Sequence, residues 1–78
     1  MESLELVVVA AVRAERARRG WSQRGLAERL GWPVSRVSDL EAGRRRPRID
    51  DLPLFCRVFD VSLRFLLGGV DSAADLLL

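Results

Sequence analysis

Residues 21–43 read WSQRGLAERLGWPVSRVSDLEAG, from Trp21 to Gly43, and the periodicity of this stretch decides the fold. Ser22 suits an N-cap, its side-chain oxygen accepting from an otherwise unpaired N–H of a first turn, and Leu26, Ala27 and Leu30 recur at helical spacing behind it. Gly31 stops that helix. Pro33 is tolerated where a new helix starts, because its missing N–H is not needed there, and Val37 and Leu40 then form an inward face three residues apart. Val34, Ser35, Arg36, Ser38 and Asp39 are left to the flanks and the outward face, so the second helix is built to be presented. Gly43, free to take positive φ, ends it.

Two helices of about eight residues joined by a tight turn match the helix-turn-helix unit, whose second helix enters the DNA major groove. The pattern continues on both sides. Ser22-Gln23, Leu26-Ala27 and Leu30-Gly31 are followed by Val37-Ser38, Leu40, Gly43 and Pro47, and then by Asp60-Val61-Ser62-Leu63 with Leu66-Leu67. In this order and spacing the chain resembles the Cro and cI repressor (XRE-like) type of helix-turn-helix domain, over roughly residues 7 to 68. The resemblance implies an all-α fold, a five-helix lambda-repressor-like DNA-binding domain with the helix-turn-helix at helices two and three. It implies a base contact from Ser35, and from Gln23 both a backbone-phosphate contact and a bond orienting a recognition-helix side chain. It also implies an ion pair between Arg16 and Glu41, bracing the first helix against the third. The residues themselves point the same way for Glu41, an acid in the last turn of a helix, where the dipole disfavours it and a cationic partner is called for. Three positions depart from the family pattern: Gly25 stands where a better helix former is usual, at a cost of about 1 kcal/mol; Val34 stands where glutamine is frequent; Asp60 stands where glycine is frequent.

The chain of 78 residues reads as one domain, 1–78, with 69–78 as a tail. A chain of this size buries only about 60–65% of its unfolded surface, so a stability on the order of 4–12 kcal/mol is expected. A second, effector-binding domain does not fit in it, and no small-molecule effector is expected. One cysteine, Cys56, excludes an internal disulfide, and without histidine no ordinary zinc site can be assembled, so the expectation is no metal and no cofactor. Cys56 sits on an apolar helix face, where a thiol acts as a small hydrophobe. The apolar run Leu6 to Val12 is far shorter than the roughly 20 residues of a membrane span and lacks the flanks of a signal peptide. A soluble, cytoplasmic protein is expected, bacterial or phage-encoded and nucleoid-associated.

The net charge of +2 conceals a strong asymmetry. Residues 13 to 48 hold eleven arginines against four acids, whereas both flanks are net acidic. Every basic residue is arginine, whose planar fork suits phosphate and guanine, although an arginine bias also follows from GC-rich coding.

In chain order, Ser3 caps a first helix that runs to about Arg19 and ends at Gly20. Its apolar residues, from Leu4 through Val12, go most of the way round the cylinder. Either the helix is central and packs on two sides, or its first two turns meet a partner chain or the C-terminal tail. Arg13, Arg18 and Arg19 read as a solvated face near the helix C-terminus, where cations are favoured. Trp21 reads as core and Trp32 as half exposed. Arg44, Arg45, Arg46 and Arg48 surround Pro47 in a loop that, after a recognition helix, must pass close to the sugar-phosphate backbone. Asp50 or Asp51 starts a fourth helix as a cap, with Leu52, Phe55, Cys56 and Phe59 inward. Ser62 caps a short fifth helix with Leu63, Leu66 and Leu67 as its apolar set. The tail either frays or adds a packed turn.

These readings converge on a sequence-specific regulator that binds operator-like double-stranded DNA as a homodimer, a small Cro-like or minimal repressor. The expected DNA-binding residues are Gln23, Arg24, Val34, Ser35, Arg36, Ser38, Asp39, Arg44, Arg45, Arg46 and Arg48, and the expected dimer interface draws on Phe65, Leu76, Leu77 and Leu78. Arg36 is placed at the groove edge, within reach of phosphate or guanine. Asp39 is the unusual member, since an acid facing DNA is repelled unless it accepts from a cytosine amino group or holds a neighbouring arginine. Alternatives on the same scaffold are an antitoxin, a restriction-system controller, or a protein-interaction module that does not bind DNA. Catalysis is not expected without histidine, a reactive cysteine or convergent carboxylates.

Overall fold

Serines placed immediately before apolar-periodic runs start three of the helices. In the computed structural model, which describes residues 3–68, Ser3 caps α1 (Leu4–Arg18), its hydroxyl accepting from the Glu5 N–H. Ser22 caps α2 (Gln23–Leu30) by accepting from the Gly25 N–H. Gly31 closes α2 at φ 74°, a left-handed conformation that a side chain would strain, and so lets α3 (Val34–Glu41) leave at once in a new direction. After the arginine-rich loop come a short 3-10 turn, Ile49–Asp51, then α4 (Leu52–Phe59) and α5 (Leu63–Leu66), the last capped by Ser62. Asp60 takes φ 55° at the end of α4, doing there what glycine does elsewhere. The described residues form five helices and no strand, the all-α arrangement expected from the sequence.

One apolar cluster holds the helices together. Val8, Val9 and Val12 of α1 meet Leu26, Ala27 and Leu30 of α2, Val37 and Leu40 of α3, Phe55 and Phe59 of α4, and Leu66 of α5. Full burial of a residue of this size contributes about 1.5–3 kcal/mol. α1 packs against both α3 and α5, which accounts for much of its apolar breadth, but Leu4 and Leu6 remain 61% and 57% exposed. Trp21 stacks on Phe59 and Trp32 meets Phe55 edge-on, so both tryptophans are half-buried lids on the core.

Two expectations need correction. The apolar set expected on the fifth helix is Leu63, Leu66 and Leu67, yet only Leu66 is buried, with Leu63 48% and Leu67 36% exposed. A helix of four residues presents one position to a core, and its neighbours point away. The aspartates before α4 do not cap that helix with a side chain. Asp51, buried, reaches back instead to accept from the Arg48 N–H, closing the 3-10 turn.

Gly25 also has a local reason. A Cβ there would lie 3.3 Å from the Ser22 hydroxyl oxygen and 3.5 Å from an Arg29 guanidinium nitrogen. Arg29 bonds the Gly25 carbonyl and lies 3.9 Å over the Trp21 ring on the same side of the helix.

Candidate nucleic-acid interface

The roll of α3 follows from its two buried residues. With Val37 and Leu40 in the core, Ser35 and Ala42 are exposed and Val34, Ser38 and Asp39 are half-buried on the outer side. An acid in the last turn of this helix needs a cation, and the packing of α1 supplies one. Glu41, its side chain 4% exposed, accepts from Arg16 Nε at 2.7 Å and from Arg16 Nη2 at 2.9 Å, a bidentate fork. Arg16 Nη1 donates to the Trp21 carbonyl at 2.8 Å, so one guanidinium joins α1, the α1–α2 turn and α3. These bonds to Glu41 raise the Arg16 pKa against the desolvation that lowers it. Gln23 donates to the same carboxylate at 3.2 Å, which holds its amide at the start of α2 beside α3.

Arg36 is where the structure departs most from the sequence reading. Expected at the groove edge, its guanidinium lies 3.9 Å over the Trp32 ring and donates to Asp51 at 3.1 Å, with the side chain 27% exposed. Its Nε is buried and has no partner among the described residues. The reason is that Trp32, in the turn before α3, offers an aromatic face, and the 3-10 turn brings Asp51 under it. Asp51 thereby accepts from both Arg36 and the Arg48 N–H, tying α3 to the far end of the basic loop. Asp51→Asn keeps an acceptor for Arg48 but removes the charge that holds Arg36. The expected result is a loss of about 1–2 kcal/mol, read as a lower urea midpoint; an unaltered midpoint would show that the Arg36 bond contributes nothing.

The loop itself is open. Arg44 bonds Asp39 at 3.0 Å, but the two side chains are 65% and 45% exposed, and such a pair contributes at most about 1 kcal/mol. Arg46 bonds Glu5 at 3.3 Å in an equally wet contact. The guanidinium groups of Arg45 and Arg48, and that of Arg24 on α2, are exposed and have no protein partner among the described residues.

The sequence reading missed a second use of arginine. Glu15 is buried on α1 and accepts from Arg18 and Arg19, and Arg19 also donates to the Phe59 carbonyl while lying over the Phe59 ring. The Arg18 hydrogen bond holds the Glu15 carboxyl below the usual glutamate range, although burial pushes the other way. A depressed folded pKa means that this stabilisation is present above the ordinary glutamate value and is lost as pH falls through the lowered one. Arg19 is thus a clasp between α1 and α4 rather than a solvated charge. Helical spacing alone signals the Glu15–Arg18–Arg19 contacts; nothing local signals Phe59. Cys56 is half-buried, and desolvation pushes its thiol pKa up, as expected for a packing residue.

Internal partners hold Arg16, Arg19 and Arg36 half-buried, so the basic segment presents a smaller set to solvent: Arg13, Arg18, Arg24, Arg29 and the four loop arginines. Phe65 is half-buried on α5, while Leu76, Leu77 and Leu78 lie outside the described residues. Among the described residues no helix is long and apolar enough to cross a membrane. A family model described as helix-turn-helix, of the Cro/cI (XRE) type, matches residues 12–66. No curated protein and no solved structure matches the chain.

Proposed function

We propose, from the premise that this chain belongs to the Cro/cI-type helix-turn-helix family and is a DNA-binding regulator of transcription, that it binds a palindromic operator as a homodimer and represses by occluding polymerase. The observation that carries this reading is the pairing of a presented α3 face with an exposed arginine loop directly after it. Ser35, Ser38, Val34 and Asp39 read base edges in the major groove, Val34 through apolar contact with a thymine methyl. Gln23, Arg24, Arg44, Arg45, Arg46 and Arg48 hold phosphates and set the register of the helix in the groove. Arg36 acts from behind, keeping α3 and the loop in one piece.

Two recognition helices must lie about 34 Å apart to enter successive major grooves on one face, which requires two copies about a two-fold axis. Leu63 and Leu67 expose apolar surface on either side of Phe65, and this supports an interface on the C-terminal side of the domain. Selection from a random duplex pool tests the whole reading. A palindromic consensus is expected; no enrichment at all would leave a protein-interaction module on this scaffold.

Asp39 has a defined part in that experiment. It repels phosphate and occupies Arg44, so it discriminates by exclusion more than by attraction. Asp39→Ala is expected to tighten binding to random duplex and to flatten the preference at one position per half-site. An unchanged consensus from the variant would remove Asp39 from the reading face.

A further inference from the structure

The arginine that periodicity assigns to a solvated face of the first helix, Arg13, lines an open cleft between α1, α2 and α3. The cleft has a volume of about 600 Å³, and its walls include Arg13 and Arg16 of α1, Gln23 at the start of α2, Ser38 of α3 and Arg44 of the loop. We propose that this cleft is a phosphate site in which Arg13 and Arg44 together hold one phosphate of the duplex backbone. The proposal rests on the DNA-binding reading and extends it to the first helix.

The charges in the cleft are unevenly committed. Its floor is electrically quiet, because both Glu41 oxygens are taken by the Arg16 fork and one of them also by Gln23. The walls are not. Arg13 is exposed and bonds nothing among the described residues, and Arg44 has only the wet bond to Asp39. The Ser38 hydroxyl, which donates no bond to another described residue, adds a neutral donor to the same wall. A wide, polar, arginine-walled opening with a neutralised floor suits an oxyanion and not an apolar ligand.

Placement selects the source of that oxyanion. Ser38 and Ala42 line the cleft and belong to the outer side of α3 as well, so the cleft opens beside the face that enters the groove. The major groove is only about 12 Å wide, and a helix seated in it has a phosphate strand along each flank. A duplex docked on α3 carries one of those strands past Arg13. The loop arginines serve the recognition helix from its C-terminal end; Arg13 closes the grip from the first helix.

The test measures affinity against salt for the wild type, Arg13→Ala, Arg13→Lys and Arg57→Ala, on the selected operator and on random duplex. Arg57 is exposed in the last turn of α4, so its variant loses the same charge at a different place. For Arg13→Ala the slope of log affinity against log salt should fall by about 0.9 per subunit, with a loss of roughly five- to tenfold per subunit near 0.1 M salt. Base preference should be unaltered. Arg13→Lys should keep most of the slope, since counterion release needs only a positive charge at that point. An exposed, unpartnered residue leaves the fold intact, which matching thermal melts verify. A slope for Arg13→Ala equal to the wild type, or equal to that of Arg57→Ala, overturns the cleft site. If Arg45→Ala lowers the slope while Arg13→Ala does not, the cleft falls and the DNA-binding reading stands; a wild type with no salt-dependent duplex binding takes both down. Inorganic phosphate added at constant ionic strength should compete only weakly, and strong competition would make the site one for a free anion.

Discussion

Replacing Glu41 with alanine should lower the urea midpoint of unfolding far more than replacing Arg18, although each change removes one member of an ion pair. Glu41 is buried and serves three donors, two on Arg16 and one on Gln23. Its loss strands a guanidinium whose side chain is only 21% exposed, and removing one partner of such a pair costs more than the pair contributes. Arg16 keeps its bond to the Trp21 carbonyl and some water, so the expected cost is about 2–4 kcal/mol, a large fraction of the stability of so small a domain. Arg18 is 65% exposed, and Glu15 retains Arg19 when it goes, so Arg18→Ala should barely move the midpoint. Arg16→Lys should fail to restore the wild-type midpoint, because a point charge cannot span both carboxylate oxygens and the Trp21 carbonyl. Equal, small shifts for Glu41→Ala and Arg18→Ala would show that the pair does not brace the fold.

The second large effect lies in the loop. A variant carrying both Arg45→Ala and Arg48→Ala should keep the wild-type melting temperature, because both side chains are exposed and bond nothing among the described residues. Its operator affinity should collapse. With two phosphates per subunit no longer neutralised, the salt slope of a dimer falls by about 3.6, which near 0.1 M salt is a drop in affinity on the order of a thousandfold or more. The preferred operator sequence should survive, since phosphates position the protein and bases specify the site. Affinity and slope that stayed at wild-type values would make the loop a solvated charge run.

Much of the architecture was legible in single residues. Ser3, Ser22 and Ser62 mark helix starts, Gly31 a helix stop, and each acts so in the structure. Val37 and Leu40 alone set which side of α3 is presented, because a helix that buries one stripe must expose the opposite one. The Arg16–Glu41 geometry was reachable from an acid placed against a helix dipole together with the family resemblance.

The division of labour among the arginines was not legible. Helical periodicity is a local property, repeating every three or four residues, so amino-acid order marks where the longer helices begin, end and turn their apolar faces, whereas the four-residue α5 is too short for its pattern to do so. A guanidinium on a long, flexible stem takes its partner from whatever crosses its path. Here those partners lie 15 residues away for Arg36 and Asp51 and 40 for Arg19 and the Phe59 carbonyl. The same residue type in one basic run thus became strut, clasp or free charge. The sequence by itself determined the five helices and the presented face of the third. Only the packing of those helices decided that Arg36 is held by Trp32 and Asp51 and Arg19 by the Phe59 carbonyl, while Arg13 stays exposed, because that choice depends on contacts between segments far apart in the chain.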